Sequence, residues 1–264
     1  MFIGSVHIFW YVIIGLAGLI IGRLIPLINY NLSEHKKIFD AENIKEYLKM
    51  SNTNYVIMLT NAVIYIALLR VIGMEDIIEL LQFLALTPML ISAFYIDCKS
   101  QVIPNRLTLT MLEVGIVFSF LRGINNLNIA IEMWIGMVVG ALIFIILTYI
   151  GNLVFRKETM GFGDVKLMGT LGLFFGWRSI IAIVIFAFFI ATIYSICFII
   201  KNKIKKQEIS EFIPFGPFIV LAAFIAMFVP LNIWIKLVFF IFTLGKYRFW
   251  FRKRVMLWMR RLRL

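Results

Sequence analysis

The chain is organised by its apolar runs. Eight of them, at about 8–28, 55–72, 77–96, 107–121, 129–154, 165–177, 179–200 and 213–230, are separated by short polar connections, and a ninth, shorter window covers 231–245. The hydrocarbon core of a bilayer is about 30 Å thick and takes roughly 20 apolar residues of helix to cross. A helix satisfies its own backbone hydrogen bonds, which hydrocarbon cannot do for it. Hydrophobic residues make up 62% of the 264 and the mean hydropathy is +0.97, whereas soluble domains are about 45–50% apolar. No single soluble core absorbs that much apolar surface. The expected fold is therefore all-α: a polytopic integral membrane protein with eight transmembrane helices, nine if the last window also crosses. The 165–177 window is short for a crossing, so it is expected to be broken or shielded by protein. The first run, Phe9 to Ile28, has no basic region before it and no small-residue cleavage site, and reads as a retained span.

The formal charge is +12. In a soluble chain this would suggest nucleic acid; here the sidedness of lysine and arginine accounts for it. With the N-terminus outside, the loops 29–54, 97–106, 155–166 and 201–212 lie inside and hold thirteen of these residues, against three outside, Arg70, Arg122 and Arg178. Cytoplasmic loops carry this excess, so the bias sets the orientation. The organisation expected is a first span with a short cytoplasmic loop (1–54), a membrane core (55–230), and an apolar segment with a basic tail (231–264). That tail, "GKYRFWFRKRVMLWMRRLRL", reads as a basic, aromatic-rich helix on anionic lipid, and "SEHKKIFDAENIKEYLKM" in the first inside loop as a short surface helix. Membrane lipids, not nucleic acid, are the expected partners of the basic residues. Cys98 and Cys197 are far apart and form no CxxC pair, and His7 and His35 are the only histidines. No metal site is expected.

The aspartates are four: Asp40, Asp76, Asp97 and Asp164. Asp40 and Asp76 have ordinary loop settings. Asp97 follows the run "LALTPMLISAFYI" and Asp164 precedes "VKLMGTLGLFF", so both fall at the cytoplasmic membrane edge. Ionisable groups at that depth mark functional sites by default. Each also has a structural reading: Asp164 as the N-cap of a helix starting at Val165, Asp97 as the polar end of a span paired with Lys99 or Arg106. Taken together, two aspartates on one side suit aspartyl hydrolysis. One carboxylate must be ionised to deprotonate water and the other protonated to hydrogen-bond the scissile carbonyl. Gly161 and Gly163 bracket Phe162, so the backbone before Asp164 can take conformations closed to other residues or pass close to an extended peptide. Pro104 restarts the next span after a short inside loop. Pro214, Gly216 and Pro217, in "IPFGPF", mark either a helix-entry turn or a broken backbone lining the cleft. Lys166 is read as a phospholipid contact or as a residue holding the loop.

Three separated stretches carry a family resemblance. "YIDCKSQVIPNRLTL" (95–109), "MGFGDVKLM" (160–168) and "IPFGPF" (213–218) together resemble the type IV prepilin leader peptidases, which are membrane aspartyl peptidases of the GxGD kind. The resemblance covers roughly residues 80–230. It implies that Asp97 and Asp164 are the catalytic pair and that Gly161, Phe162, Gly163, Lys166, Pro104, Pro214, Gly216 and Pro217 line the cleft. It implies no metal and no cofactor for proteolysis. It also implies cleavage of prepilin or pseudopilin leaders at the cytoplasmic face of the inner membrane, just before an apolar helix, with S-adenosylmethionine as methyl donor where the product is N-methylated. Three departures stand out: Thr159 where glycine is frequent, no CxxC pairs in the first inside loop, and a basic tail without a counterpart. Cleavage with little or no methyl transfer is therefore expected. The alternatives are a presenilin or signal-peptide-peptidase-like protease, although "FGP" stands where those carry PAL, and a transporter using Asp97 and Asp164 as ion ligands.

Overall fold

The fold comes from a computed structural model, which describes residues 2–3, 6–33, 55–156, 160–205, 214–229 and 233. The chain divides into two units, 1–228 and 229–264. The first begins with a two-residue pairing of β1 (Phe2–Ile3) and β2 (Val6–His7). Among the described residues seven helices follow: α1 (Ile8–Ser33), α2 (Tyr55–Ile72), α3 (Ile77–Ser100), α4 (Asn105–Asn125), α5 (Leu127–Phe155), α6 (Phe162–Lys205) and α7 (Gly216–Phe228). Among the described residues, six helices are long and apolar enough to cross a membrane. The chain is a multi-pass, all-helical membrane protein. The surface helix expected at 33–50, the ninth window and the basic tail lie outside the described residues, apart from the first residue of the former and Ile233.

Two windows expected as separate spans, 165–177 and 179–200, form one element with an interruption. Gly176 has φ 72° and ψ 169°, a conformation open to glycine and rare for other residues. The chain reverses there. A methyl placed on Gly140 of α5 would lie 2.6 Å from the Met168 carbonyl oxygen and 3.2 Å from Ile180. Two residues twelve apart meet one point only if the helix folds back between them. The first arm, 162–175, is about 21 Å long, less than a full span. It survives in this position because nearly all of it from Asp164 to Phe174 is buried in protein. Where the arm ends, Gln82 Nε2 of α3 donates to the Phe174 carbonyl at 2.8 Å. Arg122 at the end of α4 in turn reaches Gln82 Oε1 (3.4 Å), Asp76 Oδ2 (3.2 Å) and Glu79 Oε2 (3.3 Å). This polar cluster supplies a partner near the break.

Helices in lipid associate through small residues that let backbones approach, and two such seams are present. Gly18 and Gly22 of α1 lie against Ala62 and Met58 of α2. Gly136 and Gly140 of α5 lie against the first arm of α6, where a methyl on Gly172 would overlap the Gly136 backbone. Backbone cannot yield as a side-chain end can. Gly172→Val is expected to destabilise the fold by about 3 kcal/mol, the upper end for overpacking, read as a lowered thermal midpoint in detergent; an unchanged midpoint would refute this seam. α3 is the interior helix: half of its apolar window is buried, against 28% in each of the other five. α7 packs on α3 and α6, and this brings three helix ends to one place.

Candidate active site

Asp97 does not follow its helix; it sits in the last turn of α3. The Gln101 N–H closes that turn by donating to the Asp97 carbonyl, with Gln101 in the left-handed region (φ 56°). The chain is thereby bent at once, and Pro104 starts α4 as its N-cap with extended backbone, as expected from its missing N–H. Asp164 likewise is not an N-cap at Val165. α6 begins at Phe162, Gly161 accepts from the Asp164 N–H at 3.1 Å, and Asp164 lies in the first turn. Asp97 and Asp164 are 4% and 8% exposed, so both carboxyls are inside the protein. They are near enough for the charge of Asp97 to act on Asp164.

Each carboxyl faces a glycine. The Gly161 N–H is directed at Asp164, and the Gly216 N–H approaches Asp97. A methyl on Gly216 would stand 2.5 Å from Asp97 Oδ2. That oxygen is buried without a hydrogen-bond partner of good geometry, which leaves it open to a third group. Pro217 lies in the first turn of α7, where a missing N–H is harmless, and Phe218 and Ile219 donate to the Phe215 carbonyl in regular fashion. Of the two readings of "IPFGPF", the entry turn is the one found, and the broken backbone is not. Pro214 precedes this turn. Gly216 contributes closeness: it lets α7 start against Asp97.

Gly161 and Gly163 do not need unusual backbone freedom, because neither has a positive φ. Gly163 instead gives space, its missing methyl lying 3.3 Å from Ile103 Cβ. Ile103 is the residue that sequence reasoning missed. Its Cδ1 also lies 3.3 Å from a methyl on Gly216, and it is 5% exposed. One aliphatic side chain, in the loop that follows the Asp97 helix, thus packs against both glycines, at the start of α6 and the start of α7. Nothing in its spacing or composition marked it. Asn105 was also missed. Lys166 Nζ donates to Asn105 Oδ1 at 2.7 Å and stands 5.1 Å over the Phe162 ring, joining the start of α4 to the start of α6. This fits its reading as a residue that holds the loop. Among the described residues no group of three or more His, Cys, Asp or Glu could hold a metal.

Residues 84–196 match the sequence profile of the type IV leader peptidase family. Curated relatives named prepilin leader peptidase/N-methyltransferase include one from Aeromonas salmonicida (strain A449), 33% identical over 54% of this chain and 47% of that protein. The Legionella pneumophila relative is 32% identical over 57% and 50%, and that of Escherichia coli (strain K12) 31% over 49% and 55%. The match spans about half the length of these relatives. No solved structure matches the chain. The matched segment includes Asp97, Ile103, Pro104, Lys166 and the Gly161–Asp164 stretch, whereas Pro214, Gly216 and Pro217 lie beyond it.

Proposed function

We propose that the chain is a membrane aspartyl endopeptidase that removes the leader of type IV prepilins or pseudopilins at the cytoplasmic face of the inner membrane. The observation that carries this reading is the convergence of Asp97 and Asp164 from separate helix ends, both buried and near enough for the charge of one to act on the other. Buried neighbouring carboxyls favour one shared proton. Asp164, in the first turn of α6, has the positive end of a helix to stabilise an anion; Asp97, in the last turn of α3, has the opposite end. Asp164 is therefore the base that deprotonates water, and protonated Asp97 hydrogen-bonds the scissile carbonyl through its unpartnered oxygen. Hydroxide adds to the carbonyl carbon, and collapse of the tetrahedral species releases the amine with the proton Asp164 took. A transporter would hold its carboxylates near mid-helix at the bilayer centre, and helix-end placement does not favour that reading. The test is purified protein with a prepilin, read by mass spectrometry for a single cut; an intact substrate overturns the proposal.

The reading counts eight crossings: α1 to α5, the two arms of α6, and α7. Every helix end at the site then falls inside, with the loops rich in lysine and arginine. With Cys98 and Cys197 changed to serine, Lys203→Cys is expected to resist an impermeant thiol reagent added to intact cells, and Asn126→Cys to react. The reverse pattern would invert the topology.

The relatives' names include N-methyltransferase. S-adenosylmethionine carries an amino acid, a sulfonium and ribose hydroxyls. The cavity beside the site is lined mainly by apolar side chains, with Lys166 its one charged group, and this is a poor cradle for such a molecule. The expected product of cleavage has a free, unmethylated N-terminus; a stoichiometric gain of one methyl in the product mass would contradict this.

A further inference from the structure

Between α4, α5 and the first arm of α6 runs a cavity of about 760 Å³ that begins beside Asp164, since Val165 and Lys166 line it. Its lining recurs at helical spacing on all three helices, from Asn105 to Leu112, Met137 to Ile145 and Phe162 to Thr170. Eight residues of helix rise about 12 Å, so the groove is roughly that long. Its depth is written in small residues, because Gly169 stands opposite Ala141, a methyl on one lying 3.4 Å from Cβ of the other. The rims at Leu109, Val138 and Leu142 are about half exposed, leaving the groove open along its side.

We infer that this groove receives an apolar, helical segment of the polypeptide that is cut, seated along α6 with the scissile bond at the end nearest Asp164. The inference rests on the peptidase reading above and adds where the substrate binds. Three observations favour a helix as occupant. The groove is continuous with the turn that carries Asp164. Its volume of about 760 Å³ over that length is more than a single polymethylene chain, whose carbons pack about 4 Å apart, would fill, and its open side leaves room for the rest of a helix outside the walls. Its hydroxyls are already used, Thr108 donating to the Asn105 carbonyl (3.0 Å) and Thr170 to that of Leu167 (2.8 Å). Walls with so little hydrogen bonding to offer suit a backbone that satisfies itself, which a helix does and an extended strand does not. Lys166 is likewise engaged with Asn105, which weakens the case for a phospholipid phosphate at the mouth.

The experiment places a photo-crosslinking residue at Leu142, with Val63 of α2, 64% exposed, as the control position, in full-length protein in phosphatidylglycerol vesicles with a full-length prepilin. Crosslinks from Leu142 to the prepilin's apolar segment, and none from Val63, are expected. In a second measurement Val138→Trp fills the groove from a rim position that leaves the packed seam intact. It is expected to raise KM for the prepilin about tenfold with kcat within twofold. Crosslinks from Leu142 to lipid alone, or an unchanged KM, would overturn the inference. Absence of cleavage by the unaltered protein with crosslinking retained would strike the peptidase reading and leave the groove assignment standing.

Discussion

Asp97→Asn and Asp164→Asn are each expected to lower cleavage by at least about 10³-fold, the scale on which members of a catalytic unit fail. Neither variant should unfold. Both side chains are buried, and an amide fills nearly the same volume without leaving a charge stranded. The double variant should be no worse than either single one, because the two carboxyls act on one water and one carbonyl and cannot contribute independently. Turnover near the normal rate in either single variant would remove the pair from the mechanism. Chelators are expected to leave the rate unchanged, and a loss restored by zinc would point to different chemistry.

The second large effect is expected at Gly216. A methyl there would meet Asp97 Oδ2 at 2.5 Å and Cγ at 2.9 Å. Either the carboxyl turns or α7 retreats, and a displacement near 1 Å at a reacting group costs about 10²-fold in rate. Gly216→Ala should therefore lose about 100-fold in kcat with little change in KM, since the groove for substrate is elsewhere. The glycines form a graded series. At Gly163 the methyl would meet Ile103 Cβ at 3.3 Å, and at Gly161 it would meet Asp164 Oδ2 at 3.8 Å. The first is tight and the second is ordinary contact. Alanine should be worst at 216, intermediate at 163 and tolerated at 161. A variant series ranked the other way would show that backbone freedom, not space, explains "GFGD". Ile103→Ala should lower kcat through loosened spacing, and Ile103→Val should recover most of it.

Part of this molecule could be read from one dimension. α2 spans Tyr55–Ile72, as its apolar window did, and Pro104 begins the next helix because a residue without N–H belongs at a helix start. The charge bias and the position of Asp97 and Asp164 beside apolar runs gave an expected edge of the membrane, which the thiol-labelling experiment tests. Boundaries were less legible. α1 continues to Ser33 and α3 to Ser100, past the last strongly apolar residues, because a helix keeps its hydrogen bonds through polar positions as readily as apolar ones. Of the two readings open for Gly161 and Gly163, unusual dihedrals and close approach, the first does not hold, since neither has a positive φ; a glycine in sequence carries no label that separates dihedral need from steric need.

By itself the sequence determined the solvent of this protein, its helical content and the likeness of its central segment to the type IV leader peptidases, because each depends on residue type along a line. The tertiary structure alone decided which residues meet. Gly176 turns two windows into one reversed element whose short first arm is sheltered by its neighbours. α7 comes close enough to lay Gly216 against Asp97, and Ile103 packs against both Gly163 and Gly216. These are distances between positions far apart in the chain. They are set by close packing of helices at small residues, which no local period or composition encodes.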